Sequence, residues 1–321
     1  MLFLDLETTG LAGGAGTYAF LVGCGWFEPS SPSASASQTA CFRTRQLFLA
    51  DFSAERALLE AVGELAVDLD CIVTYNGKTF DLPLLETRFL MTRRRWPAAL
   101  PHLDLLRPAR RIWAAYLPDC RLATLEREVV GVMREDDIAG GLIPALYFDF
   151  LRSRRAAPLA RVLAHNRDDI LTLVGLFGWF GQALTSRDEL TAGELGGLGR
   201  LWEPVDVERA LDCYRAALAA GLSGAPAQAV RLNLARWEKR FARWDVACSL
   251  WEEAARDAGF DPRPWEELAK FHEHRRRDFV AARSIVQDAL DIAVGAGVSS
   301  RVRDAFAYRR ARLERRLLTR G

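Results

Sequence analysis

The first 185 residues alternate between apolar runs of strand length and segments with helical periodicity. Apolar strands are predicted at 1–6, 18–27, 41–49, 71–75 and 101–106. Apolar residues at helical spacing predict helices at 54–67, 81–89, 122–130, 145–154 and 159–184. A serine-rich segment at 29–37 predicts a hairpin loop, and 136–144 reads as another loop. Strands interspersed with helices indicate an α/β domain, and its first three strands form an antiparallel meander.

Beyond Ser186 the pattern changes to helices alone. The glycine-rich stretch Gly193 to Gly199 predicts a linker at 188–200, between a first domain at 1–187 and a helical domain at 201–321. Small residues around a bulky one recur at a spacing close to the period of about 34 residues of tetratricopeptide repeats. The three sets are Ala210/Tyr214/Ala217, Ala247/Trp251/Ala254 and Ala282/Val286/Ala289. Such stacked helices commonly bind another protein, and the alternative is that they only brace the first domain.

Composition excludes some classes of protein. Of 321 residues, 50% are hydrophobic and 26% are charged, as in soluble globular proteins. No apolar run reaches the roughly 20 residues of a membrane span, and no basic segment at the N-terminus suggests a cleaved signal peptide. A net charge of +1 gives no overall positive field that would attract nucleic acid, so any such binding surface must be local. Six scattered cysteines without paired spacing indicate reduced thiols, so a cytoplasmic location is expected.

Two carboxylates in the first strand are spaced two residues apart. Strand alternation places Asp5 and Glu7 on one face, where their charges repel each other. A cation between them would relieve the repulsion, so the pair favours a hard metal ion such as Mg²⁺ or Mn²⁺. Gly10 and the glycine-rich stretch at 11–17 then form a tight turn. An acidic strand end without chemistry is the alternative for this pair alone.

Two further acids follow later strands. Asp81 opens a helix after the strand at 71–75, which delivers it to the carboxyl end of the sheet, where open α/β sheets carry their sites. The alternative is that Asp81 only balances the positive end of its helix. For Asp104, capping of the following helix is favoured over metal binding.

The helix at 159–184 carries the last candidate groups. At about 100° per residue, Asp169 lies on the apolar stripe of this helix and Asp168 on the other side. A carboxylate on a buried stripe is unfavourable unless it is paired or bound to a metal ion. His165 lies one turn earlier on the same face. Beside a metal site it is a candidate to deprotonate or orient water, and a hydrogen-bonded core histidine is the alternative.

The order of these acids resembles that of a known family. Asp-x-Glu-Thr-Thr-Gly at 5–10, Asn-x-x-x-Phe-Asp at 76–81 and the helical Asp169 resemble three motifs of the DEDD superfamily of 3′→5′ exonucleases, which have a ribonuclease-H-like fold. The YprB-type predicted exonucleases are a closer resemblance, carried by residues 16–23, 74–81, 102–106 and 165–169. The resemblance covers roughly residues 1–185. One departure is the spacing of three residues between His165 and Asp169, which matches the tyrosine subclass, since the histidine subclass usually has four.

The resemblance implies a nuclease that uses two divalent ions, Mg²⁺ or Mn²⁺. It would release nucleoside monophosphates from 3′ ends of single-stranded DNA or RNA, with His165 assisting the attacking water. The implied metal ligands are Asp5, Glu7, Asp81 and Asp169. The implied contacts to the terminal nucleotide are Thr8, Thr9, Gly10, Asn76 and Phe80, with Tyr75 or Phe80 stacking on a base.

Two other functions remain open on this fold. One is a non-catalytic nucleic-acid-binding or scaffold protein, against which the four intact acids argue, and the other is a structure-selective endonuclease. Arginine clusters at 93–95, 107–111 and 152–155 either guide a phosphate backbone or are solvated helix faces. The expected architecture is an α/β ribonuclease-H-like domain, with a mixed sheet flanked by helices, followed by an all-α tetratricopeptide-like helical repeat domain.

Overall fold

The computed structural model describes residues 1–10, 14, 16–29, 40–67, 69–96, 100–135, 137–257 and 259–319. Most of the predicted loop at 29–37 and part of the glycine-rich turn at 11–17 lie outside these residues. The chain divides into two units. The first comprises Met1–Arg110 and Pro118–Ser186, and the second comprises Arg111–Leu117 and Arg187–Gly321. The short segment 111–117 therefore belongs to the second unit, although the prediction placed it in the first.

The first unit is built on a five-stranded mixed sheet. Its strands are β1 (Leu2–Thr8), β2 (Ala19–Pro29), β3 (Ala40–Phe48), β4 (Ile72–Thr74) and β5 (His102–Asp104). They lie in the order β3-β2-β1-β4-β5, with β1, β2 and β3 antiparallel and β1, β4 and β5 parallel. The carboxyl ends of the three parallel strands therefore meet at one edge of the sheet.

Helices flank this sheet, as the sequence predicts. They are α1 (Glu55–Val67), α2 (Asp81–Met91), α3 (Leu106–Trp113), α4 (Leu122–Leu125), α5 (Ile143–Ser153) and α6 (Leu159–Thr185), with a π-helical turn at Glu126–Val130 that continues α4. Apolar side chains of β1, β2, α1, α5 and α6 form one buried core. The long helix α6 packs directly on β1. The predicted α/β fold with a mixed sheet is confirmed.

The described part of the second unit contains helices and turns and no strand. The helices after residue 186 are α7 (Ala192–Trp202), α8 (Val207–Ala219), α9 (Gly224–Arg240), α10 (Trp244–Arg256), α11 (Pro262–Lys270), α12 (Phe279–Gly295) and α13 (Ser300–Leu318). All nine residues of the three sequence repeats are buried, in α8, α10 and α12. The prediction of an all-helical second region is confirmed. Among the described residues, no helix has the length and apolar character needed to cross a membrane.

The predicted linker at 188–200 is wrong, because most of it forms α7. Thr191 caps this helix reciprocally with Glu194, a start signal that the sequence contains. The glycines provide close packing rather than flexibility. A Cβ at Gly197 would overlap main-chain atoms of Ile112, and one at Gly199 would overlap the Tyr214 ring. Glycine is therefore required here because neighbouring backbone and rings approach α7 closely.

The close approach at Gly197 predicts that Gly197→Ala is destabilising. The added methyl group meets main-chain atoms that cannot rotate away, so we expect the free energy of unfolding to fall by about 1–3 kcal/mol. Gly295→Ala is the matched control, because a Cβ there meets nothing within 4 Å in the same unit. Chemical denaturation measures both. A Gly197→Ala protein as stable as the Gly295→Ala protein would contradict the packing of α7.

Candidate metal centre

Two acids occupy the central strand of the sheet. Asp5 and Glu7 are alternate residues of β1 and point to the same side, while Leu4 and Leu6 are buried on the other. In the antiparallel pairing with β2, Asp5 lies opposite Gly23 and Glu7 opposite Leu21. Both carboxylates therefore project from a stretch of β1 that is paired with β2, which leaves them little freedom to separate.

Helix α6 brings two further groups to Glu7. The Nε2 atom of His165 lies 3.8 Å from Oε1 of Glu7 and 3.5 Å from Oδ2 of Asp169. One ligand atom from each of these three residues lies within 4.8 Å of the other two. Asp5 and Asp81 do not belong to this tight group. The predicted inward orientation of Asp169 agrees with its mostly buried side chain.

Asn166 holds the carboxylate of Asp5. Its Nδ2 donates to Oδ2 of Asp5 at 2.9 Å and to the main-chain oxygen of Asp5 at 3.3 Å. Asn166 is fully buried, and its Oδ1 accepts from Nε2 of Gln46 at 3.0 Å. Gly23 makes room, since a Cβ there would overlap the Asn166 amide. Sequence reasoning missed Asn166, although a glycine inside an apolar strand signals a close approach.

Asp104 shapes the loop that leads to Asp81. Its Oδ1 accepts from the main-chain amides of Asn76 at 2.8 Å and Leu106 at 3.0 Å, and its Oδ2 accepts from Lys78 at 3.0 Å. The bond to Leu106 is the predicted helix cap, whereas the other two bonds were not foreseen. Asp81 is buried at the first residue of α2, directly after this loop.

Burial and three neighbouring acids raise the pKa of Asp5. Burial is the largest reason that the pKa of Asp5 is well above its usual range, and the charges of Asp169, Glu7 and Asp81 raise it further. These interactions show that the charge of Asp81 acts on the same centre. All three of the other predicted metal ligands therefore affect the pKa of Asp5.

Burial also raises the pKa values of Glu7, Asp81 and Asp169. Burial raises the pKa of Glu7 to about 8, although His165 lowers it, and burial with the charge of Asp104 raises the pKa of Asp81 to about 7. Burial also raises the pKa of Asp169 against the opposing effect of His165. A divalent cation would offset these costs, and clustered carboxylate oxygens with one imidazole are donors that suit it. The residues present therefore fit a metal ion.

Two charged residues between α4 and α5 complete the surroundings. The Nη2 of Arg134 donates to Oδ1 of Asp169 at 2.5 Å, and its Nε donates to Oε1 of Glu126 at 3.0 Å. Oδ1 of Asp137 lies 2.7 Å from Nδ1 of His165. Arg134 thus holds Oδ1 of Asp169, and Asp137 holds Nδ1 of His165. Sequence reasoning missed both Arg134 and Asp137, because this segment carries no periodic pattern.

The predicted nucleotide contacts lie next to the acids, and several have local partners. Thr8 Oγ1 donates to the main-chain oxygen of Gly10 at 2.9 Å, and Thr9 Oγ1 accepts from a main-chain amide just before β2 at 2.9 Å. Asn76 adopts a left-handed φ of 65°, and its Oδ1 accepts from a threonine hydroxyl at 2.8 Å. Phe80 is half-buried immediately before α2. The hydroxyls of Thr8 and Thr9 therefore bind main-chain groups at the end of β1 and just before β2.

The raised pKa of Glu7 predicts a pH-dependent stability of the metal-free protein. Its folded pKa of about 8 exceeds the ordinary value of 4.5, so its contribution to stability falls as pH rises between these values. Glu7→Gln stays neutral. In EDTA it should therefore raise Tm relative to the unchanged protein, and by more near pH 8 than near pH 5.5.

Thermal unfolding followed by circular dichroism measures this difference. Glu64→Gln, on the exposed side of α1, is the control and should change Tm equally at both pH values. A gain for Glu7→Gln that is larger at the lower pH would contradict the buried, repelled state of Glu7.

The chain has recognisable relatives. The family model described as the RNase_H superfamily matches residues 2–181, a range that includes all the acids described above. The uncharacterized protein YprB of Bacillus subtilis (strain 168) is 31% identical in an alignment 323 residues long, and the alignment covers 98% of this chain and 75% of that protein. The family match spans more than half of the chain and agrees with the observed mixed sheet. This chain therefore belongs to the RNase_H superfamily.

Proposed function

We propose that the chain is a metal-dependent 3′→5′ exonuclease that hydrolyses phosphodiester bonds of single-stranded DNA or RNA. Membership of the RNase_H superfamily suggests a nuclease that acts on nucleic acid, and nucleases with this fold generally use divalent ions. The direction of attack, the single-stranded substrate and the use of two Mg²⁺ or Mn²⁺ ions are the proposal. The resemblance of the three acidic motifs to DEDD exonucleases supports these finer assignments.

One observation carries the proposal. Ligand atoms of Glu7, His165 and Asp169 lie within 4.8 Å of one another, and the charges of Glu7, Asp81 and Asp169 all raise the pKa of Asp5 beside them. Structural ion pairs place opposite charges together, whereas this centre gathers like charges at a cost in stability. Such an arrangement is expected where a cation and a phosphate must be bound.

The residues divide the chemistry between them. Asp5, Glu7, Asp81 and Asp169 would hold the ions, and Asp5 would have a central part because the charges of the other three acids act on it. Two bound ions would help to form the attacking hydroxide and stabilise the leaving 3′ oxygen. His165 presents Nε2 to the same centre, and the resemblance gives it the task of orienting the attacking water.

The 3′ end would be held beside these acids. The main chain of Thr8 to Gly10 runs from the end of β1, so it would pass next to the bound phosphate. Asn76 would contact the terminal nucleotide, and the half-buried ring of Phe80 would stack against a base. Both residues flank Asp81 in the loop that Asp104 organises.

The helical unit is proposed to bind a protein partner in the manner of tetratricopeptide repeats. Its support is the burial of small and bulky residues at matching positions of α8, α10 and α12. A cytoplasmic location is proposed from the cysteines, since all six are free thiols.

Degradation of 5′-labelled single-stranded DNA and RNA tests the activity. We expect the full-length protein with Mn²⁺ or Mg²⁺ to shorten one or both polymers stepwise from the 3′ end, and EDTA to stop the reaction. Asp5→Asn removes a central charge at almost constant volume. It should lower the rate at least about 100-fold, because the ions lose a ligand that would stabilise the transition state.

Asp168→Asn is the matched control for this loss. Asp168 neighbours Asp169 on α6 but pairs with Arg167, and the rate should remain within about twofold. Internal cuts would contradict the exonuclease direction and favour an endonuclease. Binding of both polymers without cleavage would favour the non-catalytic scaffold.

A further inference from the structure

Three ligand atoms converge beside β1, and one of them is a nitrogen. His165 Nε2 lies 3.5 Å from Oδ2 of Asp169 and 3.8 Å from Oε1 of Glu7. Ligands of one ion with bonds of about 2.0–2.2 Å lie about 3–4.4 Å apart, so these separations suit a shared metal ion. His165 and Asp169 are also one helical turn apart, a spacing with which helices chelate metals.

The other ring nitrogen of His165 is already engaged. Oδ1 of Asp137 lies 2.7 Å from Nδ1. Nη1 of Arg134 lies 3.2 Å from the same nitrogen, so the carboxylate makes the shorter contact. Because the shorter contact is to an acceptor oxygen, the geometry favours a proton on Nδ1, which in the neutral ring leaves the lone pair on Nε2. A carboxylate on the outer nitrogen is the usual setting of a metal-bound histidine.

Asp169 is oriented in a similar way. Nη2 of Arg134 donates to its Oδ1 at 2.5 Å, which leaves Oδ2 as the oxygen that faces His165. Arg134 is itself fixed by Glu126, whose carboxylate accepts from Nε at 3.0 Å. Two charged side chains outside the centre, Arg134 and Asp137, thus set the orientation of both residues from α6.

We propose that His165 Nε2 binds one divalent ion together with Glu7 and Asp169, and that Asp137 is the positioning residue for His165. The proposal rests on the proposed function, since it assigns one of the two metal positions of the nuclease. Imidazole suits transition-metal ions, whereas Mg²⁺ takes oxygen ligands and keeps its water. The centre therefore prefers Mn²⁺ to Mg²⁺. This role for His165 replaces the water-orienting one that the resemblance implies, because a lone pair bound to a metal ion cannot also accept from water.

Electron spin-echo envelope modulation of bound Mn²⁺ tests the nitrogen ligand directly. The full-length protein is loaded with Mn²⁺, once with ordinary histidine and once with ¹⁵N-labelled histidine. We expect nitrogen modulation whose frequency changes with the label. It should disappear in His165→Gln and persist in His274→Gln, which alters an exposed histidine of the second unit.

Metal titrations separate a positioning role from a structural one. His165→Gln should lower the affinity for Mn²⁺ at least about tenfold and leave the affinity for Mg²⁺ within about threefold. Asp137→Asn should also lower Mn²⁺ affinity about tenfold and reduce the preference for Mn²⁺, and Asp137→Glu should restore part of it. If Asp137 had only a structural role, its loss would lower the affinity for Mn²⁺ and the affinity for Mg²⁺ equally.

Several results would overturn the proposal. They are absence of Mn²⁺ binding, Mn²⁺ bound without histidine modulation, modulation that survives in His165→Gln, and equal loss of affinity for both ions. Cleavage of labelled oligonucleotides by the same preparations separates this proposal from the nuclease function. Cleavage without a nitrogen ligand overturns only the ligand, whereas a nitrogen ligand without cleavage supports the ligand and contradicts the exonuclease.

Discussion

Repulsion among buried carboxylates is the interaction on which the rest of the first unit depends. Burial raises the pKa of Asp5, Glu7, Asp81 and Asp169, and the charges of neighbouring acids among the four raise the pKa of Asp5 and of Glu7 further. The net free energy of unfolding of a protein is small, so favourable contacts around these acids have to offset the cost of burying them. β1 meets this need, since it is paired on both edges and covered by α6.

The neighbours of the acids fix their positions without relieving all of the repulsion. Asn166 donates to Asp5, Arg134 donates to Asp169, and Asp104 holds the loop before Asp81 through main-chain amides. Each bond constrains one acid, and only Arg134 adds a positive charge. The arrangement therefore leaves a place for cations, and the surrounding hydrogen bonds hold the ligands at the separations that a metal ion requires.

Much of this could be predicted from periodicity. The spacing of Asp5 and Glu7 placed both on one face, and helical winding separated Asp169 from Asp168. The order of the motifs then indicated the fold. The roles of Asn166, Arg134 and Asp137 depend on how the segments meet, and a single sequence gives no pattern for such contacts. Glycine misled the prediction at α7, because a glycine that permits close packing has the same local signature as one in a flexible linker.

Anomalous diffraction from crystals soaked in Mn²⁺ tests most directly whether this cluster of acids binds cations. Our account predicts two manganese peaks beside Asp5, one of them within bonding distance of Glu7, Asp169 and Nε2 of His165. The same soak of Asp5→Asn crystals should weaken or remove at least one peak. Fully occupied manganese elsewhere on the protein, with no peak among these acids, would contradict the account.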